Sequence, residues 1–145
     1  MRLTGRKRAQ AALALAAAVS SAGLVAVTAS PAETATSGSS VSVALVEWKF
    51  LPEQVTVRAG RVTFVVRNDG KMDHAFLLLR SDRHHHSLTV KKGKVVETGR
   101  LGGIPLISRG TTKRITLTVP RGRYVMLCNM LGHYQAGQYA ALRAR

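Results

Sequence analysis

The chain has 145 residues, with 22 lysines and arginines against 7 aspartates and glutamates, a formal charge of +15 at pH 7. A balance this basic points to acidic proteins or anionic membrane surfaces as partners, or to a plainly solvated surface. It argues against nucleic acid, because no row of aromatic residues is interleaved with the basic ones and the chain opens with an export segment. A single cysteine rules out any internal disulfide, and a lone thiol in an oxidising compartment is a liability unless something occupies it.

Arg2, Arg6, Lys7 and Arg8 form a cationic head, Ala11 to Val27 an alanine-rich apolar run, and Val27-Thr28-Ala29 a small-residue cleavage site. Residues 1–29 therefore read as a signal peptide, and the protein is expected to be extracytoplasmic: periplasmic, cell-surface or secreted. The apolar run is shorter than the ~20 residues of a membrane span, so an uncleaved anchor through residues 11–27 is the alternative. Residues 30–41, rich in Ser, Thr, Ala and Gly, read as a flexible leader, and residues 42–145 as one domain large enough to bury a core of its own.

From Val43 onward the pattern is short β-type runs separated by turn residues, with no sustained helical period. Gln54 to Arg58 alternates, Ala59-Gly60 turns into Val62 to Arg67, and Asn68-Asp69-Gly70 ends that run. Ala75 to Leu79 is apolar at every position, as expected of a strand buried on both faces. Residues 80–110 carry many charged, histidine and glycine positions and little periodicity; they read as a long excursion with one short strand around Val95 and Val96. Ile115, Leu117 and Val119 then alternate with threonines, Pro120-Arg121-Gly122 turns into Tyr124 to Leu127, and Tyr139 to Leu142 forms a last strand. Many short strands with frequent turns imply an all-β sandwich or small barrel.

The lone cysteine sits just after a predicted strand, and Cys128, His133 and Gln138 follow one another at equal spacing before the next strand. Gly132 and Gly137 give such a loop the backbone freedom to fold around one point. His74, immediately before the buried run, could join them from a distant part of the chain. Two imidazoles and one thiolate with a weak axial donor suit a copper ion cycling between its two oxidation states. A lone buried cysteine is ordinarily a core residue, and either histidine alone could be structural; their joint order is what outweighs that reading.

Asn68 through His74, Tyr124 leading into Cys128, and the pairs Cys128-Asn129 and Gly132-His133 make residues from Val43 to Arg145 resemble the cupredoxin family of plastocyanin and azurin. The resemblance implies a Greek-key β-sandwich of about eight antiparallel strands, one mononuclear type 1 copper and single-electron transfer. Carried over, His74 and His133 are the histidine ligands, Cys128 the thiolate, and Gln138 stands where most members have methionine. An amide oxygen is harder than a thioether and favours Cu(II), which lowers the reduction potential. Met72, Met126 and Met130 are the alternative soft ligands.

Asn129 is placed to steady the loop and to donate hydrogen bonds near the sulfur. Met130 and Leu131 would border His133 as an apolar docking patch. The expected partner is an acidic redox protein, and the expected state a monomer. The rival reading uses the same ligands for copper storage, delivery or tolerance. No nucleophile–base pair suggests an enzyme. His84-His85-His86 reads first as a solvated loop, with an auxiliary metal site shared by His84 and His86 as the alternative, since neighbours on an extended chain point to opposite sides.

Overall fold

Two-residue alternation is written directly into burial. In β1 (Ser39–Val46) Val41, Val43 and Leu45 are buried while Ser40 and Ser42 face solvent, and in β4 (Gly60–Asn68) Val62, Phe64, Val66 and Asn68 are buried. The computed structural model describes residues 38–145, so the predicted signal peptide and most of the leader lie outside the described residues. With β2 (Lys49–Leu51) and β9 (Thr112–Val119) these strands form a sheet in the order β2-β1-β4-β9. A second sheet has the order β3-β11-β10-β5-β8, from β3 (Gln54–Val57), β5 (His74–Arg80), β8 (Arg100–Ile107), β10 (Gly122–Leu127) and β11 (Tyr139–Ala144). A small hairpin, β6 (Val90–Lys91) with β7 (Lys94–Val95), completes the set, and no helix occurs among the described residues.

The two sheets face each other across one apolar core, as an all-β sandwich. Phe76 of β5 packs between Phe50 and Phe64 of the opposite sheet, with ring centroids 6.3 and 5.1 Å away. Burying an aromatic side chain of this size contributes about 1.5–3 kcal/mol. β5 is buried on both faces, as its unbroken apolar run predicted. Leu77 and Leu79, with Val125 and Leu127 of β10, are covered from outside by Val95 and Tyr134.

The structure corrects the sequence reading at three places. β1 begins at Ser39, inside the stretch read as leader. β1 pairs with β4, and β3 with β11, in parallel, so the sandwich is mixed rather than wholly antiparallel. The excursion between residues 80 and 110 holds the strand β8, hidden in sequence by Gly102, Gly103 and Pro105. Those residues suit an irregular edge strand: the register of β8 against β5 shifts twice, and a side chain at Gly103 would meet the Phe76 carbonyl oxygen at 2.4 Å.

β4 and β10 end, and β5 and β11 begin, at the same pole of the sandwich. This convergence of strand ends gathers the chemically interesting residues.

Candidate metal centre

His74, Cys128 and His133 meet at that pole with their ligand atoms all within 4.8 Å of one another. His74 Nδ1 is 3.3 Å from His133 Nδ1, and Cys128 Sγ is 3.4 Å from His133 Nδ1. Two donors that each sit ~2.0–2.3 Å from a common ion are separated by distances of this size. Gln138 adds a fourth donor atom, its Oε1 lying 3.0 Å from His133 Nδ1. The amide orientation is set from behind, because Gln138 Nε2 donates to the Val46 carbonyl at 3.0 Å and leaves the oxygen turned toward the cluster. His74, Cys128 and Gln138 are fully buried, and His133 is partly exposed.

Backbone geometry delivers each of these side chains. His74 opens β5, held by a clasp in which buried Asn68 donates to the carbonyls of Met72 (2.9 Å) and Ile107 (2.8 Å) while its Oδ1 accepts from Gly70 N (2.9 Å). The loop from Cys128 to Gln138 closes on itself: Cys128 N donates to Gln138 O, Gln138 N to His133 O, and His133 N to Met130 O, each at 3.1 Å. Gly132 and Gly137 carry φ of +80° and +111°, the left-handed backbone the tight loop requires.

The outer contacts were only partly legible beforehand. Asn129 steadies the loop, but not through the sulfur. Its Oδ1 accepts from Val95 N at 2.7 Å and its Nδ2 donates to Val95 O and Glu97 Oε1, which staples the excursion to the ligand loop. The sulfur instead accepts from the backbone of Ala75, at 3.2 Å, and of Met130. Sequence reasoning missed Glu47 and Trp48 entirely. Glu47 Oε1 lies 3.3 Å from His74 Nε2 and also accepts from the backbone of Lys71 and Met72. The Trp48 ring meets His133 edge-on at 5.2 Å, from a residue held at φ +63°, a conformation bulky side chains adopt only where surrounding contacts enforce it. No local pattern marks either residue, since their role depends on where the β1–β2 turn lands.

Of the alternative soft ligands, Met126 is buried in the core, Met130 packs against it, and Met72 is 41% exposed. The histidine triplet lies in a turn closed by Ser87 N donating to the His84 carbonyl at 2.9 Å, not on an extended segment as expected. His84 and His86 stack at 5.3 Å, and His85 meets both His86, at 5.4 Å, and Tyr139, at 5.3 Å.

Burial sets the protonation states of the metal-free site. Desolvation pushes the Cys128 thiol above its ordinary value, opposed by the N–H groups of Met130 and Ala75. Desolvation likewise lowers His74, with Glu47 pulling the other way, so its imidazole is neutral near pH 7. A neutral imidazole is a ready ligand, whereas the thiol must release its proton to become one. Two imidazole nitrogens, one thiolate and one amide oxygen, mostly dry, form a donor set suited to a single copper ion.

No protein-family model matches the chain. Among solved structures, it superimposes on the reduced auracyanin of Roseiflexus castenholzii with a TM-score of 0.61 at 18% identity, covering 74% of this chain and 98% of that one. The cupredoxin fold is thereby established. Auracyanin A, a blue copper protein of Chloroflexus aurantiacus, aligns with this chain at a TM-score of 0.56 and 21% identity, covering 73% of it and 99% of the other. Auracyanin B gives 0.59 at 18% identity, covering 74% and 88%. A curated relative is the copper-resistant cuproprotein CopI of Pseudomonas aeruginosa, 27% identical over an alignment that covers 77% of the chain and 79% of CopI. Within this cupredoxin fold, all four residues expected from sequence to surround the metal lie at one pole, and the outer contacts come from turns on both sheets.

Proposed function

We propose that the chain is an extracytoplasmic, mononuclear type 1 copper protein that carries single electrons between redox partners. The observation that carries this reading is the closed arrangement of His74 Nδ1, Cys128 Sγ, His133 Nδ1 and Gln138 Oε1, each fixed by strand ends or by backbone hydrogen bonds. Ligands held this firmly need little rearrangement when charge changes, which suits a carrier better than an exchange site. Bound copper would supply one-electron chemistry between Cu(I) and Cu(II). The protein keeps the thiolate dry, fixes the amide oxygen toward the site, and leaves the His133 side as the partly open one.

Leu131, 69% exposed in the same loop, gives that open side an apolar surface on which a redox partner can seat. The basic surface supports an acidic partner. The extracytoplasmic placement rests on the signal peptide read in residues 1–29.

A second reading, copper storage, delivery or tolerance with the same ligands, is favoured by the similarity to CopI. Adding Cu(II) to the purified protein and recording visible and electron paramagnetic spectra tests the site. The expected result is an intense thiolate-to-copper band that Cys128→Ser abolishes. Absence of that band in the unaltered protein would refute the copper reading. Fast electron exchange with slow copper release identifies the carrier, and rapid transfer of copper to a chelator identifies the handling protein.

A further inference from the structure

Arginines collect at one end of the strand axis, although Arg67, Arg109 and Arg114 lie toward the metal pole. At the pole opposite the metal centre, β3, β4, β10 and β11 start or finish beside Arg58, Arg61, Arg121, Arg123, Arg143 and Arg145, all exposed. Arg123 and Arg143 are direct cross-strand partners, and the pairing of Ala144 with Val57 brings Arg58 and Arg145 alongside. Arg80, at the same end of β5, donates to the Arg121 carbonyl at 3.4 Å. The lysines lie elsewhere: Lys49, Lys71 and Lys113 near the metal pole, and Lys91, Lys92 and Lys94 on the hairpin that meets the ligand loop at Gly93.

None of the ion pairs among the described residues engages Arg58, Arg61, Arg121, Arg123, Arg143 or Arg145, while Arg100, which opens β8 opposite Leu79 at this end, pairs with Glu97. Glu47, Asp69 and Asp73 sit at the metal end, and Asp82 lines a groove of ≈ 360 Å³ together with Arg83, Arg123 and Arg143. Like charges placed directly opposite each other on a sheet oppose folding. Solubility alone would be served by scattering them. Arginine also differs from lysine in presenting a planar fork that matches phosphate oxygens two at a time.

A second observation identifies the occupant. β1 runs parallel to β4 with Ser39 opposite Val62, and Gly38 lies against the Arg61 backbone. The chain preceding β1 therefore joins the domain at the arginine pole, and that preceding sequence holds the cationic head and the apolar run Ala11 to Val27. Retained as the anchor that is the alternative to a cleaved signal peptide, that segment would tether the domain to a bilayer through the end at which β1 begins.

We propose that the arginine pole docks on the anionic phosphate headgroups of a lipid bilayer, so that the metal centre faces away from the membrane toward its partners. The arginines form a ring of phosphate contacts, and the opposite, lysine- and carboxylate-bearing pole stays in water.

Flotation of the full chain with phosphatidylcholine vesicles, with and without phosphatidylglycerol, tests this. The apolar segment contributes to both, so the difference between them isolates the headgroup interaction. Binding is expected to be stronger with phosphatidylglycerol and to fall as salt rises. Replacing Arg58, Arg61, Arg123 and Arg143 by glutamine should weaken the phosphatidylglycerol-dependent part roughly several-hundred-fold, at about fivefold per arginine near the surface. Replacing Lys49, Lys91, Lys92 and Lys94 by glutamine, the same charge taken from the other end, should cost less than about tenfold.

Equal losses in the two variants, or no preference for phosphatidylglycerol, would overturn the proposal. So would an arginine variant that keeps vesicle binding but loses binding to an acidic protein, which would assign the pole to a protein partner.

A readout free of substitutions uses Trp48, the sole tryptophan, which stands beside His133 at the metal pole. Its emission should be unaffected by brominated phosphatidylglycerol vesicles that bind the protein, and quenching would mean that the metal end docks instead. None of these outcomes alters the Cys128-dependent copper band, so failure here is separable from failure of the copper reading.

Discussion

Asn68→Ala removes the clasp under His74, and its cost can be worked from the contacts. The side chain is fully buried and makes three hydrogen bonds, to Met72 O, Ile107 O and Gly70 N. A typical internal hydrogen bond contributes about 0.5–1.5 kcal/mol net, and a buried group left without a partner costs about 1–3 kcal/mol. Ile107 is fully buried, so its carbonyl has no ready replacement, while the exposed Met72 segment can recruit water.

These considerations place the loss at about 3 kcal/mol. With a urea dependence of roughly 2 kcal/mol per molar, the midpoint of unfolding should fall by about 1.5 M. The measurement belongs on metal-free protein, because a bound ion stabilises the folded state by mass action and would mask the loss. The same variant should bind copper more weakly, since the turn leading to His74 loses its side-chain tie to the Ile107 carbonyl of β8. A midpoint shift corresponding to under about 0.5 kcal/mol, the range of an ordinary surface substitution, would refute the clasp.

Gln138→Met should raise the reduction potential, because a thioether stabilises Cu(I) better than an amide oxygen; it should also cost about 1–2 kcal/mol of stability by stranding the Val46 carbonyl, and an unchanged potential in voltammetry would rule out Gln138 as the fourth ligand. Leu131→Lys should slow electron exchange with a partner by about tenfold while leaving stability within about 0.5 kcal/mol, and an unaltered rate in stopped-flow mixing counts against the docking patch. Copper binding should depend on pH through Cys128. Burial raises its pKa above the ordinary thiol value, so the free protein holds the thiol proton near neutral pH and binding expels it, whereas His74, lowered by burial, is already neutral there and expels none. The contribution of Cys128 is then a gain in affinity of about tenfold per pH unit until the raised pKa is reached; calorimetry in buffers of different ionisation enthalpy should detect its release, and binding with no proton released would contradict a protonated thiol.

Much of this molecule is legible one segment at a time, because the relevant forces act between near neighbours. Alternation of Val62, Phe64 and Val66 or of Ile115, Leu117 and Val119 announces a half-buried strand whatever it packs against, and Ala75 to Leu79 announces one buried on both faces. The ligand loop is similarly local, since Cys128, His133 and Gln138 are held together by hydrogen bonds that stay within the loop itself. Strand β8 escaped notice because its edge position and irregular pairing with β5, not its own composition, make Gly102, Gly103 and Pro105 acceptable.

Glu47 and Trp48 became part of the site only when the β1–β2 turn was laid against the ligand loop, and Asn129 turned toward Val95 because the excursion packs there. The same is true of the arginine pole, whose members are scattered through the chain and meet because four strands place their ends side by side. Local sequence thus determined the strands and the order of the metal-binding side chains. Long-range pairing, which depends on burying both sheet faces at once, decided which distant residues touch the donors and where the charge collects.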